Sequence, residues 1–321
     1  MFKAKRLGAI AISTAASALL QKPQSGIRIL SYHAVGTKVD GDVNGIYNLK
    51  TNEFRMHCDL IEQFSEQHAM PIVPFGTTSE SGITITFDDG YADNYSVALP
   101  VLQRHGLTAS FFVATGFLNG GRMWNDTIAE AIRLTDKPWL DLSGIGLAHY
   151  PLGTWEDRRS ALASIIGKIK YQPVAQRVEL TGRLADAAGV RLPSNLMMTS
   201  EEVRALRHAG MCIGAHTVSH PILAGLPDDA ARREIEESRA SLEQILDERV
   251  TLFAYPNGKL DEDYSARTVQ VVKGLGFDAA VSTEWGSSST GDDVFQIRRF
   301  TPWDRTQLRF GARLLLNLRK A

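Results

Sequence analysis

The sequence predicts an α/β protein built on a parallel sheet, and three observations carry that reading. Runs rich in β-branched and aromatic residues alternate with helix-period segments along most of the 321 residues. The helical segments fall between strand-like runs, as crossover connections do. The conspicuous polar residues sit just past the carboxyl ends of those runs, where parallel α/β proteins gather their ligands. Alternation alone leaves the sheet open or closed into a barrel.

Taken in order, 27–35 (IRILSYHAV) reads as a buried strand and 83–87 (ITITF) as the next. A helix over 96–106 stops at Gly106 and leads into a strand at 108–114. Thr199 and Glu202 form a capping box for a helix that ends at Gly210, before a strand at 211–215. The Glu/Arg-rich helix over 227–248 presents a solvated outer face and precedes a strand at 250–256. Strands at 277–283 and 294–300 complete about seven. Residues 117–198 interrupt the alternation with helical stretches and Gly/Pro-rich loops, and read as a helical insertion able to cover the mouth of a site. The expected organisation is an N-terminal basic and apolar segment 1–26, a main domain 27–305, and a C-terminal amphipathic segment 306–321.

Composition excludes several classes. Hydrophobic residues make up 44% and charged residues 22%, ordinary for a globular chain. A net charge of −1 offers no basic footprint for nucleic acid. Two cysteines, Cys58 and Cys212, are too few for a disulfide framework and lack CxxC spacing, so both read as small core residues. The N-terminal segment reads as a basic amphipathic helix lying on the domain or on a membrane surface, with a secretory signal cleaved near Ala16-Ser17-Ala18 as the alternative. A cytoplasmic or membrane-peripheral location follows from the first reading, with peripheral membrane contact through the termini; a secreted or periplasmic one follows from the second.

The chemistry concentrates in two stretches. "TFDDG" places Asp88 and Asp89 side by side at a strand end, and "HTVSH" follows a later strand with His216 and His220. Two histidines four apart on one face of a helical turn can share a metal. One carboxylate completes a His2Asp set and leaves a position open for water, whose pKa the cation lowers. The second carboxylate is then free to act as general base. A shared cation also offsets the repulsion between adjacent acids. Zinc suits this donor set; cobalt, nickel and iron(II) suit it too. His33 sits at the end of the first strand, while Tyr255 and Asn257 follow another. Trp285 with Arg298 or Arg299 lies near the last two. Trp124, Trp285 and Trp303 are candidates to stack on a sugar, Trp124 foremost for its loop position. Asp126 reads as a helix cap, and His57, His68, His105, His149 and His208 as structural or surface residues.

"TFDDG" followed by "HTVSH" resembles the NodB-homology polysaccharide deacetylases, carbohydrate esterase family 4. The resemblance spans roughly 27–300. It implies a distorted (β/α) barrel of about seven parallel strands, with Asp88 as general base and Asp89, His216 and His220 holding a divalent metal. Two positions depart from the family pattern. "FAYPNG" has Ala254 where the family carries an arginine that steadies the base, so Arg298 or Arg299 is expected to substitute. No histidine follows His220, so the family's C-terminal acid is absent and His33, in a Tyr-His-x-Val segment similar to that of poly-N-acetylglucosamine deacetylases, is expected to replace it. The implied reaction removes an N-acetyl group from an amino sugar in a glycan, with the Tyr255 N–H as an oxyanion donor. The alternatives are a sugar-binding relative without catalysis, or a deacylase or deformylase of a lipid-linked sugar.

Overall fold

A computed structural model describes residues 26–36, 49–76, 81–289 and 291–317. Residues 1–25, most of the expected N-terminal segment, and 318–321, the end of the expected C-terminal segment, lie outside them. The described elements run β1 (Ile27–Tyr32), β2 (Val35–Gly36), β3 (Leu49–Lys50), α1 (Thr51–His68), β4 (Gly82–Phe87), α2 (Leu99–Arg104), β5 (Ser110–Val113), α3 (Trp124–Leu134), β6 (Trp139–Asp141), β7 (His149–Pro151), α4 (Trp155–Ile169), α5 (Val174–Ala188), α6 (Ser200–His208), β8 (Cys212–Ala215), α7 (Asp228–Leu246), β9 (Leu252–Ala254), α8 (Ala266–Gly274), β10 (Ala279–Val281) and α9 (Gln307–Asn317).

Six strands form one sheet in the order β1-β4-β5-β8-β9-β10, and every neighbouring pair is parallel. The sheet curls into a distorted barrel with helices outside it. The expected seventh strand at 294–300 is not regular. Asp293 accepts from the Phe295 N–H and the Gln296 side chain, turning the chain, and only two isolated bridges follow, Val281 with Ile297 and Leu30 with Phe300. Ile297 N–H donates to Ala280 O (3.1 Å) and Phe300 N–H to Ile29 O (3.0 Å), so this irregular segment spans the gap between β10 and β1.

Strand parity sorts the side chains. In β4, Ile83, Ile85 and Phe87 pack outward with Phe54, Ile61 and Leu102 beneath the helices. Inside the barrel, Ile29, Phe112, Leu252, Ala254, Val281 and Ile297 form a smaller cluster. Thr84 and Thr86 occupy the opposite parity, and Thr86 Oγ1 donates to Leu30 O (2.9 Å). Gly214 is required by closeness: a Cβ there would lie 2.6 Å from the Phe112 ring.

Between β5 and β8, α3, α4 and α5 pack over their own core of Ile128, Ile132, Leu140, Leu152, Ile165 and Leu184. The region is not purely helical, as its sequence suggested. Trp139–Asp141 pairs antiparallel with His149–Pro151, and Leu140 and Tyr150 are buried between exposed neighbours. Three-residue strands are too short to show alternation in sequence. The C-terminal helix α9 is pinned by His57, a buried residue whose ring stacks on Phe310 at 3.8 Å. His57 Nε2 lies 2.6 Å from Asp304 O. No described helix is long and apolar enough to cross a membrane.

Candidate metal centre and active site

Asp88 continues the inward parity of Thr84 and Thr86 past the end of β4. Asp89 then takes a left-handed conformation (φ 75°), and Gly90 follows at φ 91°. Asparagine and aspartate tolerate that region better than other side-chain-bearing residues. The twist separates the two adjacent carboxylates, sending each to a different set of partners.

Asp88 meets Arg299 in a bidentate pair, with Nη1 2.7 Å from Oδ1 and Nη2 2.7 Å from Oδ2. Arg299 is 1% exposed and fully engaged: Nε donates to Ser282 O (2.8 Å) and Nη1 also to Thr86 Oγ1 (3.1 Å). Burial alone would raise the Asp88 pKa, but the guanidinium outweighs it and holds the carboxyl below its ordinary range. The sequence left Arg298 and Arg299 equal; parity separates them. Ile297 and Arg299 are buried, whereas Arg298 between them is exposed and does not meet Asp88. Arg299 reaches Asp88 from the bridging segment, while the end of β9 offers only the methyl group of Ala254.

Asp89 faces His216 and His220. Its Oδ1 lies 3.5 Å from His216 Nε2 and 3.4 Å from His220 Nε2. The buried Oδ1 receives no hydrogen bond. His216 Nδ1 is 2.7 Å from Ala254 O, a contact that requires a proton on Nδ1 and makes Nε2, which faces Asp89, the nitrogen able to ligate a cation. One ligand atom from each of the three residues lies within 4.8 Å of the others. An orphaned buried carboxylate oxygen between two imidazole nitrogens, one with its tautomer fixed, is a donor set that fits a divalent cation. Burial drives His220 to about 3, keeping it neutral.

The two histidines are not on a helix, contrary to the sequence reading. Thr217 and His220 have positive φ (66° and 51°), and the stretch is a tight turn. Thr217 Oγ1 accepts from His220 N–H (3.1 Å). Glu234 on α7 accepts from Val218 N–H (2.9 Å), Ser219 N–H (2.8 Å) and Ser219 Oγ (2.6 Å). From the insertion, Arg177 Nη2 reaches His220 O at 3.4 Å. Neither Glu234 nor Arg177 carries a local sequence signal, because each acquires its partner only when distant segments fold together.

His33 follows β1. Its carbonyl accepts from Asn94 Nδ2 (2.9 Å), and the ring lies near enough to Asp88, Asp89 and His220 to couple electrostatically with all three, which puts it beside the same corner. Tyr255 does not fit its expected role. The side chain is fully buried, stacked on Tyr264 at 3.9 Å, with its hydroxyl on Phe295 O. Its N–H donates to Val281 O (3.2 Å), so it is not an oxyanion donor. Asn257 is half-buried with φ 58°. Trp124 is half-buried, and Arg177 lies over its ring at 5.1 Å, covering one face. Trp285 and Trp303 are 40% and 50% exposed. Asp126 is not a cap: Met123 holds that position, and Asp126 is buried with Oδ1 accepting from the Tyr91 hydroxyl (3.3 Å).

Comparison with known proteins places this arrangement. The Bacillus subtilis (strain 168) protein YxkH, described only as a candidate polysaccharide deacetylase, is 20% identical over 285 residues, covering 87% of this chain and 72% of the relative. Among solved structures, the Streptococcus pyogenes deacetylase PplD in complex with acetate aligns with a TM-score of 0.58 at 18% identity, covering 91% of this chain and 98% of that one. IcaB from Ammonifex degensii aligns with a TM-score of 0.58 at 17% identity and the same coverage. These structural likenesses support the distorted-barrel fold. The polysaccharide deacetylase family profile matches residues 75–167 and 176–280, and the chain therefore belongs to the polysaccharide deacetylase family, hydrolases that act on amide bonds.

Proposed function

We propose that the protein is a metal-dependent deacetylase that removes the N-acetyl group of an amino sugar within a glycan. The observation that carries this is the divergence of Asp88 and Asp89: one is locked to Arg299, the other presents an unpaired Oδ1 to two imidazole nitrogens. Asp89, His216 and His220 would hold the cation, zinc by preference for these donors. A bound cation supplies Lewis-acid chemistry, acidifying water and polarising the acetyl carbonyl.

The chain's own groups account for the proton movements. Asp88, ionised by its arginine, takes the proton of the water that attacks the acetyl carbon. Developing charge on the carbonyl oxygen calls for an N–H donor. The Tyr255 amide is spent on Val281 and Pro256 has none, so the Asn257 amide takes this role. As the C–N bond breaks, His33 gives a proton to the departing nitrogen, and acetate and a free amine leave. The intact Asp88–Arg299 pair argues against a sugar-binding relative without catalysis.

The test is metal content measured together with acetate release from N-acetylglucosamine oligomers, in wild type and His216→Ala. About one metal per chain and acetate that is lost in the variant support the reading. A metal-free wild type, prepared without chelators, would overturn the metal site. Metal without acetate from any N-acetylated glycan would overturn the reaction.

A further inference from the structure

The mechanism leaves a second buried polar group beside the metal corner unused. Asp126 is 4% exposed, in the first turn of α3. Its Oδ1 is held by the Tyr91 hydroxyl, and its Oδ2 is buried without a hydrogen-bond partner. Asn125, also within hydrogen-bonding reach of Tyr91, has a buried Oδ1 with no donor. Tyr91 comes two residues after Asp89, and the Asp89 charge is felt at both Tyr91 and Asp126. The insertion therefore holds two unsatisfied acceptors beside Tyr91, two residues along the chain from Asp89.

A buried acceptor that no protein group satisfies needs a donor from outside the chain, and a bound ligand can supply it. A sugar ring suits them because its hydroxyl groups donate hydrogen bonds without adding charge to a buried site. Burial pushes the Asp126 carboxyl up to about 7, so it can accept from a hydroxyl or donate to one.

We propose that Asn125 and Asp126, with Tyr91 fixing the carboxyl, form a hydroxyl-binding subsite for the sugar that carries the reacting N-acetyl group. Asp126 is then a specificity-determining residue supplied by the insertion. This rests on the glycan reading of the site.

The experiment titrates N-acetylglucosamine tetramer by calorimetry into zinc-loaded protein carrying Asp88→Asn, so that ligand is not consumed. Zinc content and Tm are measured alongside. Adding Asp126→Ala is expected to weaken Kd at least tenfold, and Asp126→Asn, which keeps an acceptor, less than threefold. Asn125→Ala, which removes the other acceptor at a half-buried position, is expected to weaken it about threefold and serves if Asp126→Ala is poorly folded. Unchanged affinity in both alanine variants, or a tetramer that does not bind the parent, overturns the subsite. Acetate release with Asp88 intact reports separately. Asp126-dependent binding without acetate sinks the deacetylase reading alone, and acetate with Asp126-independent binding sinks the subsite alone.

Discussion

Two regions meet at this site, and each buries a carboxylate under different terms. On the barrel side, Asp88 is 2% exposed and carries two guanidinium hydrogen bonds at 2.7 Å. On the insertion side, Asp126 is 4% exposed, with one long hydrogen bond from Tyr91 and, among the described residues, no ion-pair partner. Burial acts on both in the same direction, yet Asp88 stays below the ordinary carboxylate range and Asp126 rises to about 7. The partner, not the depth, decides ionisation. In the proposed mechanism the barrel holds its base ionised and brings an arginine to it; the wall proposed to receive a neutral sugar leaves its carboxyl without one.

The sharpest way to break the contrast is at Asp88. Asp88→Asn keeps the shape and removes the base, so kcat is expected to fall about 10²–10⁴-fold with metal content unchanged. Near-wild-type turnover would remove Asp88 from the chemistry. Arg299 comes next. Arg299→Met strands a buried carboxylate and is expected to cost about 3–5 kcal/mol in denaturant unfolding, whereas Arg299→Lys keeps the charge but loses the fork and lowers kcat about 10–100-fold. If Met is tolerated within about 1 kcal/mol, the pair is not what keeps Asp88 ionised. Glu234→Gln should be milder. It keeps the shape but weakens three hydrogen bonds on the 218–219 turn, so competition with a chelator should show metal affinity down about tenfold. An unchanged affinity would mean that Thr217 and Arg177 suffice to orient the turn.

How much of this was legible in the chain follows from how local each signal is. "ITITFDDG" encodes its own parity, so a strand with Asp88 facing in can be read directly. The proximity of His216 and His220 was also legible, but not its cause. Two left-handed residues and a glutamate fourteen positions beyond His220 shape the turn, and an i, i+4 spacing does not distinguish that turn from a helix. The exchange of Ala254 for Arg299 could be suspected from a missing arginine, yet Arg298 and Arg299 were separable only once Ile297 was seen to face inward. Tyr255 misled because its stretch follows a strand end; its ring turns into the packing with Tyr264 instead. The short hairpin at 139–151 and the links from Arg177 and Glu234 depend on three-residue strands or on contacts 15 to 43 residues apart, for which periodicity has no window.

The smallest expected effect is the most direct test of the contrast, because it reads Asp126 without catalysis. The unfolded chain releases this proton near pH 4, as ordinary aspartates do. The folded protein keeps it until about pH 7. Between those values the unfolded state binds fewer protons, so what Asp126 contributes to stability is fullest below about pH 4 and declines as pH rises toward 7. Asp126→Asn removes that slope. The variant should therefore gain on wild type as pH rises from 5 to 8, by a few degrees in Tm at most, with the difference widest at pH 8. Asp88→Asn should show no such growing advantage, since it removes a carboxylate that its arginine already keeps ionised. A constant offset for Asp126→Asn across the range would mean that Asp126 ionises normally in the fold. The two buried carboxylates would then stand on the same terms, and the distinction between a charged corner and a neutral wall would fail.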